Sequence, residues 1–251
     1  VHGRYGQPCP ATAEVISSFH GLHRGIRATT MDLSRTFSVS KAAFANVNLG
    51  IRMDGIQDPA ITQCSFAIPD AWPDDNISTM YGIYSEQCTG YKIEENSFAN
   101  TNTDVQRRKA GLVIRNSGDN YNTFYNNTFD GLRMGSCIQG DNAGQEKAVG
   151  LEVKCNDYGI GAKNAFDVAL TGANVTVQAT QGGPAAPLEE ETLDDPAGNR
   201  FSAHTNADHP ESDWYVNSSN FVEYFHHLST GNERTKPEYR DADLLQPTEA
   251  G

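Results

Sequence analysis

Two short stretches of this 251-residue chain concentrate residue types able to do chemistry. The first holds Trp72, Pro73, Asp74, Asp75 and Asn76, and the second holds Asp104, Arg107, Arg108 and Lys109. An indole ring beside carboxylates and a basic cluster suits a polar ligand such as a sugar: the ring covers C–H faces while the charged groups bind hydroxyls. Trp72, Asp74, Asp75, Arg107, Arg108 and Lys109 are therefore the candidate ligand-binding residues. The same side chains also fit a mechanical role, with Arg107 and Arg108 paired to Asp74 and Asp75 so that two loops are held together.

Other chemistries find less material. Arg52 with Asp54 and Asp58 offers a base near acids that could hold calcium against a uronic sugar, but Asp54-Gly55 is more economically a turn. His20 and His23 lack a third ligand at useful spacing, and His226-His227 ends an aromatic strand and is expected at a surface edge. No nucleophile, histidine and acid stand in an identifiable context, so no catalytic residue, metal site or cofactor is assigned. Acidic loops could take up calcium weakly, although nothing matches an Asp-x-Asp-x-Asp-Gly loop. The five cysteines (Cys9, Cys64, Cys88, Cys137, Cys155) form no Cys-x-x-Cys pair and read as small core fillers. If a disulfide forms, Cys137 with Cys155 is the first pair to test.

What must position such residues is a recurring phrase. Gly plus an aliphatic residue opens it, and a small residue followed by Phe closes it: Gly25 to Phe44, Gly50 to Phe66, Gly82 to Phe98, Gly111 to Phe129 and Gly150 to Phe166, in steps of 19, 16, 16, 18 and 16 residues. The pieces between are short, β-rich and split by Gly, Asn and Asp, which argues for strands rather than a helical period. They are too short to pair as hairpins. Successive turns of chain must therefore pair in parallel, about 4.8 Å apart, as a solenoid whose hand by the crossover rule is right-handed. The fold class is all-β: a right-handed parallel β-helix with an irregular acidic C-terminal region.

The closing phrase is expected to be a corner. Ile93 and Phe98 are an odd number of residues apart, so a flat strand would place them on opposite faces, and a bend at Asn96 brings both inward. Asn tolerates the left-handed conformation and can hydrogen-bond to an equivalent Asn one turn away. Asn96, Asn127 and Asn164 are expected in that slot, preceded by Ala42 and Cys64. Asn as a generic turn former explains the same residues singly. The rings of Phe44, Phe66, Phe98, Phe129 and Phe166 are expected to make one internal column.

This combination resembles the right-handed parallel β-helix of pectate lyases, polygalacturonases and many bacterial surface proteins. More narrowly, residues 122–129 (Asn-Thr-Phe-Tyr-Asn-Asn-Thr-Phe), 150–156 (Gly-Leu-Glu-Val-Lys-Cys-Asn), 198–202 and 224–227 are similar to large secreted proteins of Bacteroidetes-type bacteria, which carry a C-terminal sorting domain for type IX secretion. The resemblance covers residues 20 to 230 and implies a secreted or cell-surface location, but no defined reaction. No sorting domain is visible, so the chain is expected to be a segment or processed product. The enzyme motifs are incomplete: Asn102-Thr103-Asp104 matches the first polygalacturonase motif without its partners, and the pectate lyase Trp-Ile-Asp-His phrase is absent.

Organisation follows from the repeat. Residues 1–20 are expected to cap the first turn, 21–180 to form the stack, and 181–251 to make an acidic, loop-rich region with a few flanking strands and an extended arm. Two insertions, after Phe66 and after Phe98, leave the same corner. Residues 1–180 carry a net charge of −3 and residues 181–251 a net charge of −10. With no basic stripe, nucleic acid is excluded as a partner, and no apolar stretch is long enough to span a bilayer. The expected partners are other copies of the chain, other segments of the same surface protein, or a polysaccharide. The function expected is a non-catalytic extracellular structural or adhesive module of a surface protein or filament. The alternatives are a polysaccharide-acting lyase or hydrolase, and a carbohydrate-binding module.

Overall fold

The computed structural model describes residues 16–30, 32, 35–69, 80–100, 109–118, 120–146, 149–159, 161–184, 194–204, 212–216, 221–227, 234–238, 240 and 245–249. Among these, every regular element is a strand and none is a helix.

After β1 (Ser17–His20) come four passes of three strands: β2 (Arg24–Thr29), β3 (Ser38–Ser40), β4 (Ala42–Ala45); β5 (Leu49–Asp54), β6 (Ala60–Thr62), β7 (Ser65–Ile68); β8 (Met80–Glu86), β9 (Lys92–Glu94), β10 (Ser97–Asn100); β11 (Lys109–Arg115), β12 (Asn122–Tyr125), β13 (Thr128–Asp130). Then follow β14 (Met134–Gln139), β15 (Leu151–Lys154), β16 (Phe166–Leu170), β17 (Thr180–Pro184), β18 (Asp194–Pro196), β19 (Ser212–Val216), β20 (Val222–His226) and β21 (Leu245–Glu249). The first strand of each pass enters a seven-stranded sheet B (β2, β5, β8, β11, β14, β16, β19), the second a five-stranded sheet C (β3, β6, β9, β12, β15) and the third a five-stranded sheet A (β1, β4, β7, β10, β13). All pairs in these three sheets are parallel; among the described residues the one antiparallel pair of strands, β17 with β18, lies in a fourth sheet with β20 and β21.

The repeating Gly and Phe have one shared physical cause. Phe19, Phe44, Phe66, Phe98 and Phe129 lie in direct register along sheet A. Their rings stack face to face with centroids 4.7 to 5.0 Å apart. From Phe44 to Phe129 each ring lies against a glycine of sheet B in its own pass: a Cβ on Gly82 would sit 2.5 Å from the Phe98 ring, and one on Gly111 2.7 Å from that of Phe129. Glycine is required there because the aromatic column occupies the space of a side chain.

In the fifth pass two expected residues are replaced by others. The ring after Phe129 is Tyr158, at 4.8 Å, and not Phe166. The opening glycine is Gly135, which faces Tyr158, and not Gly150. Phe166 begins β16 instead, pairing with Met134 on the outside of sheet B, because Asn156-Asp157-Tyr158 has already supplied the corner.

The corner itself is a hydrogen-bonded asparagine ladder. The main-chain N–H of Cys64 donates to Oδ1 of Asn96, that of Asn96 to Asn127, that of Asn127 to Asn156 and that of Asn156 to Asn199, at 2.9 to 3.0 Å. Each Nδ2 also reaches back to a carbonyl of the preceding pass, as from Asn127 to Ile93 at 2.9 Å. Asn164 is not in this ladder: its Oδ1 takes the N–H of Leu132 at another turn, since eight residues separate it from the true corner at Asn156. Nor does the ladder Asn supply the bend. The left-handed residue is the one before it: Lys41, Gln63, Glu95, Asn126 and Cys155, with φ of 52 to 56°, and Gly198 in the last example. A β-carbon in that conformation costs about 1 kcal/mol, and the buried ladder offsets it.

At the ends, Ser17–His20, expected within the cap, already form the edge strand of sheet A. Residues 1–15 lie outside the described part. Beyond 180, Asn199 extends the ladder, Phe201 stacks on Tyr158 at 6.1 Å, and β19 extends sheet B through Val168↔Trp214. Cys64, Cys88, Cys137 and Cys155 are not in disulfides, so Cys137 and Cys155 are not bridged; Cys9 lies outside the described residues.

Candidate functional site

Because sheet B is in register, its outward side chains fall into columns crossing the strands. One column runs Arg24, Leu49, Tyr81, Ala110, Met134, Phe166. The next runs Arg27, Arg52, Tyr84, Val113, Cys137, Ala169, Tyr215. A third carries Asp54, Glu86, Arg115 and Gln139. Each strand alternates faces around its glycine, so Leu112 and Ile114 fill the core while Ala110 and Val113 join a separate outer apolar cluster with Tyr81 and Cys137.

These columns form a trough. An open cavity of ≈ 490 Å³ is lined by Tyr81, Tyr84, Val113, Arg133, Met134, Cys137, Gln139 and Thr171 among others. A smaller one of ≈ 120 Å³ adjoins it through Tyr81 and is lined by Arg24, Arg27, Leu49 and Arg52. Guanidinium groups cap the aromatic faces: Arg52 lies 4.9 Å above the ring of Tyr84, and Arg133 4.8 Å above that of Phe166. Glu86 bridges two cations, Arg52 at 3.0 Å and Arg115 at 3.3 Å. Burial pushes the Tyr81 phenol up against the pull of Arg52, and burial likewise raises the Cys137 thiol, so both stay protonated at neutral pH. Such a surface offers apolar floor, aromatic edges and donors, which is the equipment for holding a polar, extended ligand.

The residues singled out from sequence fare differently. Trp72, Asp74, Asp75, Arg107 and Arg108 lie outside the described residues. Their segments leave from the same junction in successive passes, between β7 and β8 and between β10 and β11. Lys109, expected on that loop surface, is the first residue of β11 and is fully buried, because Lys109 pairs with Met80 in sheet B. Arg52 was noticed with Asp54 and Asp58, yet its partner is Glu86, one strand away, and not either aspartate. His20 and His23 face the amides of Asn46 and Asn48 at 3.3 Å each; of the pair expected at a surface edge, His227 is exposed and His226 is buried. The trough was missed because its members are far apart in sequence; the available signal was the spacing of Arg27, Arg52 and Tyr84 from the preceding glycine, which is constant at two residues.

A second cluster was not foreseen. Asp167, His204 and Asp213 are each fully buried, with ligand-type atoms within 4.8 Å of one another. Asp167 accepts from the Ser202 hydroxyl at 2.6 Å, the Ser202 N–H at 2.7 Å and Asn164 Nδ2 at 3.0 Å. His204 lies between Asp213 on Nδ1 and the Asn164 carbonyl on Nε2, both at 2.7 Å. Arg234 and the Glu238 N–H complete Asp213 at 3.0 and 2.8 Å. Burial pushes the Asp167 carboxyl up to about 7 despite the opposing His204. Burial would lower His204, but the bond to Asp213 and the neighbouring Asp167 carry it above the ordinary range. A carbonyl can only accept, so Nε2 carries a proton and Nδ1 serves Asp213; His204 has no lone pair left for a metal. The cluster is a fastening between β16, β19 and residues 199–204 and 234–238. Comparison of the chain with protein-family models, with curated proteins and with solved structures finds no match, and any function must be argued from this geometry.

Proposed function

We propose that the chain is a right-handed parallel β-helix serving as a non-catalytic extracellular structural and adhesive module that holds carbohydrate along the outer face of sheet B. The helical reading is supported by the cyclic order of the strands through sheets B, C and A, kept from β2 to β15, and its hand by the crossover preference. The observation that carries the function is the trough. Tyr81, Tyr84, Gln139 and the arginines of β2 and β5 lie on strands stacked one pass at a time, and Arg133 and Thr171 flank β14 and β16, so an extended polymer crossing the strands would meet arginine, tyrosine and apolar side chains in turn. A holding role is favoured over a chemical one because no carboxylate among the described residues lines the larger cavity, whereas glycosidic cleavage needs a pair flanking the bond. A place on the cell surface, in a protein or filament of the type carried by type IX secretion, accords with the resemblance. Other segments of that protein or copies of this chain would be its neighbours.

The test is retention on insoluble polysaccharides and binding to a glycan array by the full chain and by Tyr84→Ala. Retention lost in the variant supports the proposal. Retention equal in both, or absent on every glycan, overturns it, and turnover detected as unsaturated or reducing ends would replace it with the enzyme alternative.

A further inference from the structure

The end of the trough at β2 carries charge that the described residues do not neutralise. Arg27 lies directly opposite Arg52 across the β2–β5 pair. Like charges facing each other across strands are destabilising. Arg24 opens the neighbouring column of the same strand, and all three guanidinium groups line the ≈ 120 Å³ cavity together with Tyr81. Arg52 is held by Glu86, which it shares with Arg115. Among the described residues neither Arg24 nor Arg27 has an ion pair, and both are exposed. Asp54 stands beside this group in the third column, opposite Glu86 on one side and Thr29 on the other. Four guanidiniums thus face two carboxylates on the surface of a chain whose net charge is −13.

We propose that the Arg24, Arg27 and Arg52 cavity is an oxyanion subsite that selects acidic polysaccharide by binding a pendant carboxylate or sulfate. This rests on the carbohydrate reading above and adds the ligand's charge and its position at one end of the trough. A guanidinium presents paired N–H donors in a plane, matched to the two oxygens of a carboxylate or of a sulfate edge. Three of them around one small cavity can be satisfied together by one anion, which no carboxylate among the described residues lining that cavity supplies. Sugar rings attached to that anion would then continue over Tyr81 and Tyr84.

Binding of the full chain to polygalacturonate, to dextran sulfate and to neutral dextran, each at low and high salt, tests the proposal. The wild type is expected to bind at least one acidic polymer about tenfold or more tighter than dextran, with that preference weakened by salt. Arg27→Gln should remove most of the preference, Arg27→Lys should retain only part of it, and Lys92→Gln, exposed on sheet C, should leave it intact. Which acidic polymer is retained identifies carboxylate or sulfate as the source. Because Arg27→Gln relieves a repulsion, its melting temperature should equal or exceed that of the wild type. A lowered melting temperature would assign Arg27 a structural partner and overturn the subsite. Equal binding of acidic and neutral polymers, lost in Tyr84→Ala but not in Arg27→Gln, refutes the subsite and leaves the trough. No binding to any polymer refutes both.

Discussion

Replacing Asn127 by aspartate separates a ladder from a turn former. Asn127 is fully buried; its Oδ1 accepts the N–H and Nδ2 of Asn96, both at 3.0 Å, while its Nδ2 donates to the Ile93 carbonyl at 2.9 Å and to Asn156 Oδ1 at 3.1 Å. Asn127→Asp keeps the shape but sets an oxygen where two acceptors demand a donor. The ionised form is then buried and repelled, so the carboxyl should titrate about three units above its unfolded value of about 3.9. At about 1.36 kcal/mol per unit this is about 4 kcal/mol. The sign follows from a folded value above the unfolded one. The ionisation part of the penalty is nearly absent below pH ~4, grows as pH rises, and levels off above pH ~7. A residual of about 1 kcal/mol should persist in acid, where one of two donors is still missing. The control is Asn126→Asp, next along the chain but exposed with φ 53°, expected within about 0.5 kcal/mol of wild type at every pH. Denaturant melts followed by circular dichroism from pH 4 to 8, read as differences from wild type, measure both. If Asn127→Asp runs parallel to wild type across that range, the ladder does not hold the corners and the account of the repeat is wrong.

Other outcomes follow from the same geometry. Asp167, at about 7, and His204 both titrate above their ordinary values, so their contribution is greatest in mild acid and is lost as pH rises through neutrality. The melting temperature should fall from pH 5.5 to 8.5, and Asp167→Asn should flatten that fall; a slope unchanged in the variant would exclude the cluster as its source. Gly82→Ala should cost about 3 kcal/mol or more, since the new Cβ meets the Phe98 ring at 2.5 Å and the Gly111 carbonyl at 2.8 Å. Gly118→Ala, with nothing within 4 Å, should cost only its φ of +72°, about 1 kcal/mol. Tyr158→Phe keeps its place in the ring column but loses the bond to Ser136 at 3.0 Å, for about 1 kcal/mol in melts. Cys64, Cys88 and Cys137 are buried with thiols pushed up by burial, so a thiol reagent should modify them only on unfolding.

The amino-acid order by itself determined the strands, their parallel stacking and the inward Phe column from Phe44 to Phe129, because a two-residue pattern punctuated by Gly and Asn is local and repeats. It also contained the true fifth and sixth corners: Asn156-Asp157-Tyr158 and Asn199-Arg200-Phe201 spell the same Asn-x-aromatic phrase as Asn96 to Phe98. Asn164-Ala165-Phe166 spells it too, and nothing local tells a corner from a strand entry. Only the register decided, by giving Tyr158 the place above Phe129 and sending Phe166 to the outer face. The trough and the Asp167, His204 and Asp213 fastening belong wholly to the tertiary level. Their members come from passes or segments far apart in the chain, from Arg24 to Thr171 in the trough, and they meet because parallel pairing lays equivalent positions side by side. A chain pattern can state which residues point outward, but which outward residues become neighbours is fixed only when the strands pair.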